Sequence, residues 1–238
     1  MTTLVSELPD QPWRRRLFLP AYMVSEAARY ARVSSQTVAD WHRAGGRKAV
    51  TLSNKEKRAA LSYMQLIEVA VVAAFREAGV ALEQIRIARE YVHKTLQSEH
   101  PFAEYRFKKE GKRLLLDYEQ VEGKAGRGKY LDATQGGQLV WEQFVSPRLQ
   151  EFVYEAGGVA MRWHVAGPKS PIIIDPRISF GAPAVDSVPT WVIKGRWEAG
   201  ESIPDIAADF GIKRNDIKKA LAFEEVEIDA QRPSIWIH

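Results

Sequence analysis

Three groups of residues have types and spacings that could do chemistry. Gly123, Gly128 and Lys129 fit G-x-x-x-x-G-K, in which backbone amides cradle phosphates and the lysine reaches them. Tyr130 stands where a Ser or Thr hydroxyl should hold magnesium, and no strand and helix flank the loop in the required register. The reading is therefore a basic loop that adds phosphate contacts to DNA, not a nucleotide site. His42, His93, His100, His164 and His238 are scattered without metal-ligand spacing, and none stands beside a Ser nucleophile with an acidic orienter. Asp175, Asp186, Asp205 and Asp209 fall in helix or turn contexts, unlike the converging carboxylates that hold magnesium in a nuclease. No catalytic residue, metal or cofactor is expected, and the chain reads as a binder.

The remaining chemistry is recognition. Arg16, Tyr22, Ser35, Gln36, Thr37, Asp40, Arg43, Arg47 and Lys48 combine side chains that read base edges with side chains that neutralise phosphate, and they form the expected DNA-contact set. They fall in and around YMVSEAARYARVSSQTVADWHR (22–43), which reads as a helix, a tight turn and a second helix. Ser25 is the expected cap of the first helix, with Glu26 in its first turn. Ala27, Ala28 and Ala31 keep that helix slim. Ser34 or Ser35 caps the second helix, whose Val38 and Trp41 face inward and leave Ser35, Gln36, Thr37 and Asp40 outside at the end that enters a major groove. An alanine-rich hairpin that merely packs would share this pattern. Such a hairpin needs neither the Arg14-Arg15-Arg16 triplet before it nor Arg43, Arg47 and Lys48 after it.

The 238 residues allow one or two domains, and two plus a connector are expected. Hydrophobic content of 45% and charged content of 27% are ordinary for a globular chain, and no apolar run reaches membrane-spanning length. With no Cys there are no disulfides or thiolate metal sites. The first 13 residues lack the regions of a signal peptide, so a cytoplasmic location is expected. Residues 1–130 hold 23 basic and 15 acidic side chains, a net +8, whereas residues 131–238 hold 11 and 15, a net −4. The basic front favours an anionic partner such as DNA, and the mildly acidic rear favours a different one.

Residues 1–13 read as a flexible arm. Ala49–Leu52 leaves room for a small wing. Lys55–Gly79 reads as one long helix, apolar over most of its circumference and therefore buried or in a dimer interface, and Ala81–Leu96 reads as its hairpin partner. A homodimer is expected from that helix and from the two-fold logic of operator recognition. Phe102–Phe107 and Arg113–Tyr118 suggest a β-hairpin within a strand-rich connector, 101–167. From residue 168 an apolar strand, a turn at Asp175-Pro176 and three helices follow: Thr190–Ala199, one capped by Ser202, and Lys213–Phe223. Together these make a second trihelical unit. Ile235, Trp236 and Ile237 are too apolar for an idle tail and would close the protein's own core or dimer, or dock on a partner. Trp191 and Trp197 face the same choice, and both are assigned to the core. The fold class expected is mainly α with a small β connector.

Tyr22–Arg43, the hydrophobic helix ending in Phe75-Arg76-Glu77-Ala78-Gly79-Val80, and Leu82-Glu83-Gln84-Ile85-Arg86 together resemble the MerR-like winged helix-turn-helix regulators. The resemblance implies a DNA-binding domain over 14–100, with major-groove contacts from Ser35–Arg43 and wing contacts from Arg47–Thr51. The long dimerisation helix and cysteine effector site of those regulators are absent from the sequence. The segment from 168 to 238 resembles a small bacterial domain family of formerly unknown function found as the antitoxin partner of PIN-like toxins in VapBC-type modules. The residues that carry this are Asp175-Pro176, Ile178, Gly181, Pro183, Trp191-Val192, Glu198–Ile203, Ile206-Ala207, Phe210 and Ile217. Ala184–Pro189 departs from the more polar turn of that family. A chain joining such a head and tail resembles the longer VapB-type antitoxins. This implies neutralisation of a PIN-like ribonuclease toxin and autoregulation through operator DNA, with Arg232, Ile235, Trp236 and Ile237 as toxin-binding candidates.

Overall fold

The computed structural model describes residues 12–43, 51–53, 59–110, 113–117, 119–122, 129–141, 147–155 and 158–228. It divides into two compact units, Met1–Met161 and Arg162–His238.

In the first unit, a 3-10 helix Pro12–Leu17 precedes α1 (Val24–Ala31) and α2 (Ser35–His42). The cap of α1 is Met23 rather than Ser25: the Glu26 carboxylate accepts from the Met23 backbone N–H at 2.7 Å, so the third helical residue closes the first turn. α1 stops at Arg32, which is left-handed (φ 58°), and the Val33 amide reaches back to the Ala28 carbonyl. Ser34 then caps α2, accepting from the Thr37 amide at 3.0 Å.

The long apolar helix is α3, Tyr63–Glu77. It begins later than the expected Lys55. Leu61 is held extended by an antiparallel bridge to Tyr22, and Ser62 and Gln65 form a reciprocal capping box. Residues 54–58 lie outside the described residues. α3 has twelve buried residues, among them Met64, Leu66, Ile67, Val71 and Phe75 at 0% exposure. Its apolar surface is thus buried, one of the two placements that its sequence allows. α4 (Leu82–Leu96) and the short α5 (Pro101–Glu104) follow, and Phe75, Phe102 and Phe107 meet edge to face with ring centroids 5.3 to 6.1 Å apart.

β1 (Phe107–Glu110), β2 (Arg113–Asp117), β3 (Lys129–Asp132) and β4 (Gln138–Trp141) make an antiparallel sheet in chain order, with α6 (Glu119–Glu122) between β2 and β3. The hairpin expected from Phe102–Phe107 and Arg113–Tyr118 is present in part, as Phe107–Glu110 paired with Arg113–Asp117, whereas Phe102 lies on α5, because Pro101 starts a helical turn there. Lys129 and Tyr130 are strand residues, with Tyr130 buried, so a strand follows where a phosphate-binding loop would open a helix. Gly123 and Gly128 lie outside the described residues. A 3-10 helix, Pro147–Glu151, and β5 (Phe152–Tyr154) lead through a turn to β6 (Ala160–His164), which carries the chain into the second unit.

In the second unit β6, β7 (Ile173–Ile174), β8 (Ala184–Val185) and β9 (Val188–Pro189) pair antiparallel in chain order. α7 (Thr190–Glu198), α8 (Ile203–Phe210) and α9 (Arg214–Phe223) pack around Ile193, Ile206, Ile217, Ala220 and Leu221. The expectation of a mainly α chain with a small β component holds in part: helices supply most of the described elements, and the strand expected after residue 168 is joined by further short strands. These escape sequence reasoning because short pairs such as β8 and β9 lack the long alternation that signals a strand in sequence.

Candidate nucleic-acid interface

Burial of Val38 (0% exposed) and Trp41 (5%) fixes the rotation of α2. Ser35, Gln36 and Asp40 are then exposed on the opposite face, with Thr37 half-buried beside them. The Gln36 amide donates to Asp40 Oδ1 at 2.8 Å, and Arg43 Nη1 approaches the same oxygen at 3.0 Å. This row is already ordered, and the exposed Arg43–Asp40 pair contributes little stability, so exchanging it for phosphate or base contacts costs little.

The C-terminal end of α2 is tied down. His42 Nδ1 meets the Ser53 carbonyl at 2.9 Å, the Leu52 amide donates to the Trp41 carbonyl, and Arg86 Nε donates to Thr51 Oγ1 at 3.0 Å. The Ser53 amide in turn donates to Glu68 Oε2 at 3.3 Å. Glu68, a carboxylate in the apolar middle of α3, is 0% exposed and lies 3.2 Å from His100 Nδ1. Burial pushes the Glu68 carboxyl up, but the His100 hydrogen bond and charge, Ser53 and Arg89 together hold it below its ordinary value. Burial likewise pushes His100 down, and Glu68, Glu104 and Glu99 outweigh it, raising His100 above its ordinary value.

Tyr22 is a correction to the expected contact set. Its backbone pairs with Leu61 and its side chain is only 5% exposed, so it belongs to the core. Arg16 is half-buried on the first 3-10 helix. Arg47, Lys48, Arg232, Ile235, Trp236 and Ile237 lie outside the described residues. The anchoring of α2 through Ser53, Arg86 and Glu68 escaped sequence reasoning. Only Glu68, charged amid Leu66, Ile67 and Val69, gave a sequence signal.

His93 and His164 each direct Nδ1 to a backbone carbonyl, of Ser98 at 2.7 Å and Ser170 at 3.0 Å. Among the described residues no three His or carboxylate groups converge as a metal site. A polar cleft of about 430 Å³ in the first unit is lined by Arg106, Asp117, Gln120 and Tyr154, among others, with the Arg106 guanidinium over the Tyr154 ring.

In the second unit, Asp175 is 2% exposed and accepts from the Arg177 backbone amide and from both ends of its guanidinium, at 2.6 to 2.9 Å. Arg196 on α7 donates to Glu201 and Asp209 and stacks over Phe210, which fixes α7 against α8; Glu201 and then Asp209 hold its guanidinium further above its ordinary range. Trp197 is buried as expected. Trp191 is 62% exposed, because it falls on the outer face of α7 between Thr190 and Ile193, both of which are buried.

Residues 172–223 match the family model described as "Protein of unknown function (DUF433)". Over 235 residues the chain is 25% identical to "Putative antitoxin VapB45" of Mycobacterium tuberculosis, a match that spans 89% of this chain and 97% of that protein. In fold it is similar to the X-ray crystal structure of Rv2018 from Mycobacterium tuberculosis, with a TM-score of 0.58 and 23% identity over 87% of this chain and 99% of that one.

Proposed function

We propose that this protein is the antitoxin of a type II toxin–antitoxin module that neutralises a PIN-like ribonuclease toxin and binds operator DNA to repress its own operon. The observation that carries the reading is the reach of the similarity to "Putative antitoxin VapB45", which runs through both units rather than stopping at one domain. In this reading the chain is a cytoplasmic binder with no catalytic residues of its own. α1 and α2 act as a MerR-like helix-turn-helix, with Ser35, Gln36, Thr37, Asp40 and Arg43 entering the major groove and Arg47 and Lys48 on the backbone. Operator symmetry calls for a homodimer. The second unit and the tail segment of Arg232, Ile235, Trp236 and Ile237 meet the toxin, where Arg232 complements an acidic metal site.

The DNA arm is tested by binding of the full chain to the duplex upstream of its own gene. Gln36→Ala is expected to cost about 1–3 kcal/mol of discrimination at one base pair. Equal binding to unrelated duplexes would remove the operator from the account. The cleft at Arg106 and Tyr154 favours one second reading, a ligand-responsive MerR-like regulator without a toxin partner. That reading requires a small molecule to shift DNA affinity with no protein partner present.

A further inference from the structure

The two units contain the same local motif. α1 ends at left-handed Arg32 (φ 58°), and α8 ends at left-handed Gly211 (φ 68°). The next residues, Val33 and Ile212, send their amides back to Ala28 and Ala207 at 2.9 and 3.0 Å. One residue further on, Ser34 and Lys213 stand at the cap positions of α2 and α9. The displacement of 179 residues (211 minus 32) holds across both helices. It superposes Ala28 on Ala207, Val38 on Ile217 and Trp41 on Ala220, each of them buried. Chain geometry and inward face are thus repeated, and the outward faces differ. Where α2 presents Ser35, Gln36, Ala39 and Asp40, α9 presents Arg214, Asn215, Lys218 and Lys219.

We propose that α9 is a second nucleic-acid face, which binds the phosphate backbone of duplex DNA through Lys213, Arg214 and Lys218. All three are exposed and make no ion pair with the described residues, whereas Lys219 pairs with Asp216 at 3.3 Å. Arg214 and Lys218 are four apart and share one side of the helix. The acidic residues Glu224, Glu225 and Glu227 follow α9 at its far end, about 15 Å along the axis from Lys213. Cations without fixed partners at the leading end of such a helix match the phosphate positions that flank a groove. Charge dominates this face, so its contribution is tolerant of sequence. The proposal does not depend on the antitoxin reading.

The test uses the full chain and a fluorescent 30-bp duplex of arbitrary sequence, titrated across salt. Lys213→Gln/Arg214→Gln/Lys218→Gln is expected to weaken binding at least about tenfold at low salt. It should also flatten the log–log salt slope by about 2–3, as loss of three phosphate contacts requires. An unchanged melting temperature shows that the variant is folded, and Lys218→Arg alone retains binding. Unchanged affinity and slope in the triple variant overturn the proposal. So does a triple variant that keeps its DNA affinity but no longer captures a protein partner, which makes α9 a protein-docking face instead.

Discussion

His100 Nδ1 stands 3.2 Å from Glu68 Oε2, with Glu68 wholly buried on α3 and His100 only 14% exposed. The same carboxylate oxygen receives the Ser53 amide, whose carbonyl meets His42 at the end of α2. A buried charge pair is thereby linked, through the single residue Ser53, to the helix proposed to read DNA.

That pair sets a pH dependence. His100 is raised above its ordinary value of 6.5, so its contribution is complete below pH 6.5 and is lost as pH rises through the raised value. Glu68 is lowered from 4.5, so its contribution is present above pH 4.5 and is lost as pH falls through the lowered value. Glu104, raised mainly by burial, contributes stability that is complete below pH 4.5 and is lost as pH rises through its raised value, which draws the pH of greatest stability toward 4.5. Urea unfolding at a series of pH values is expected to show greatest stability between about pH 4.5 and 6.5. His100→Gln should flatten the decline above that window; an unchanged alkaline limb would sink the assignment.

Glu68→Leu tests the cost of the same link. Removing one partner of a buried pair costs roughly 3–5 kcal/mol, partly recovered here because leucine fills an apolar site. Glu68→Leu/His100→Leu should recover further stability, since it leaves no buried charge of the pair unpaired. A double variant no more stable than the single would show that the pair is not what the site depends on.

The left-handed turn residues give opposite outcomes in the two units. Gly211 has φ 68°, with nothing within 4 Å of a built Cβ, so Gly211→Ala meets backbone strain alone and should cost about 1 kcal/mol. Arg32 already bears that strain at φ 58°, and Arg32→Gly should be neutral or stabilising by up to about 1 kcal/mol. Thermal melts of the two variants moving in the same direction would contradict the shared turn geometry.

Ser62→Ala removes one half of the capping box that starts α3 and should lower stability by about 1 kcal/mol. Chemical denaturation reads this directly. A change within a few tenths of a kcal/mol would show that burial of α3, rather than its cap, fixes where the helix begins.

The helices of the second unit were legible because their punctuation is local. Ser202, Gly211 and the spacing of Ile206, Phe210 and Ile217 sufficed to bound α8 and α9 within a residue. α2 was legible for the same reason, with Val38 and Trp41 defining its inner face. The start of α3 was not, because the bridge between Tyr22 and Leu61 pairs residues far apart in sequence and overrides the helical pattern beyond Ser62. The same bridge turned Tyr22 from a candidate contact into a core residue. Trp191 misled in the opposite sense: its size suggested burial, while its position on α7 left it 62% exposed.

The central claim is most directly tested by co-purifying the tagged full chain with the product of its neighbouring gene, then assaying that product for RNA cleavage with and without this protein. The account expects a stable complex in which cleavage is silenced, with truncation before Pro233 releasing the nuclease. Absence of a complex, or cleavage undiminished by this protein, would contradict the antitoxin reading and leave a DNA-binding regulator in its place.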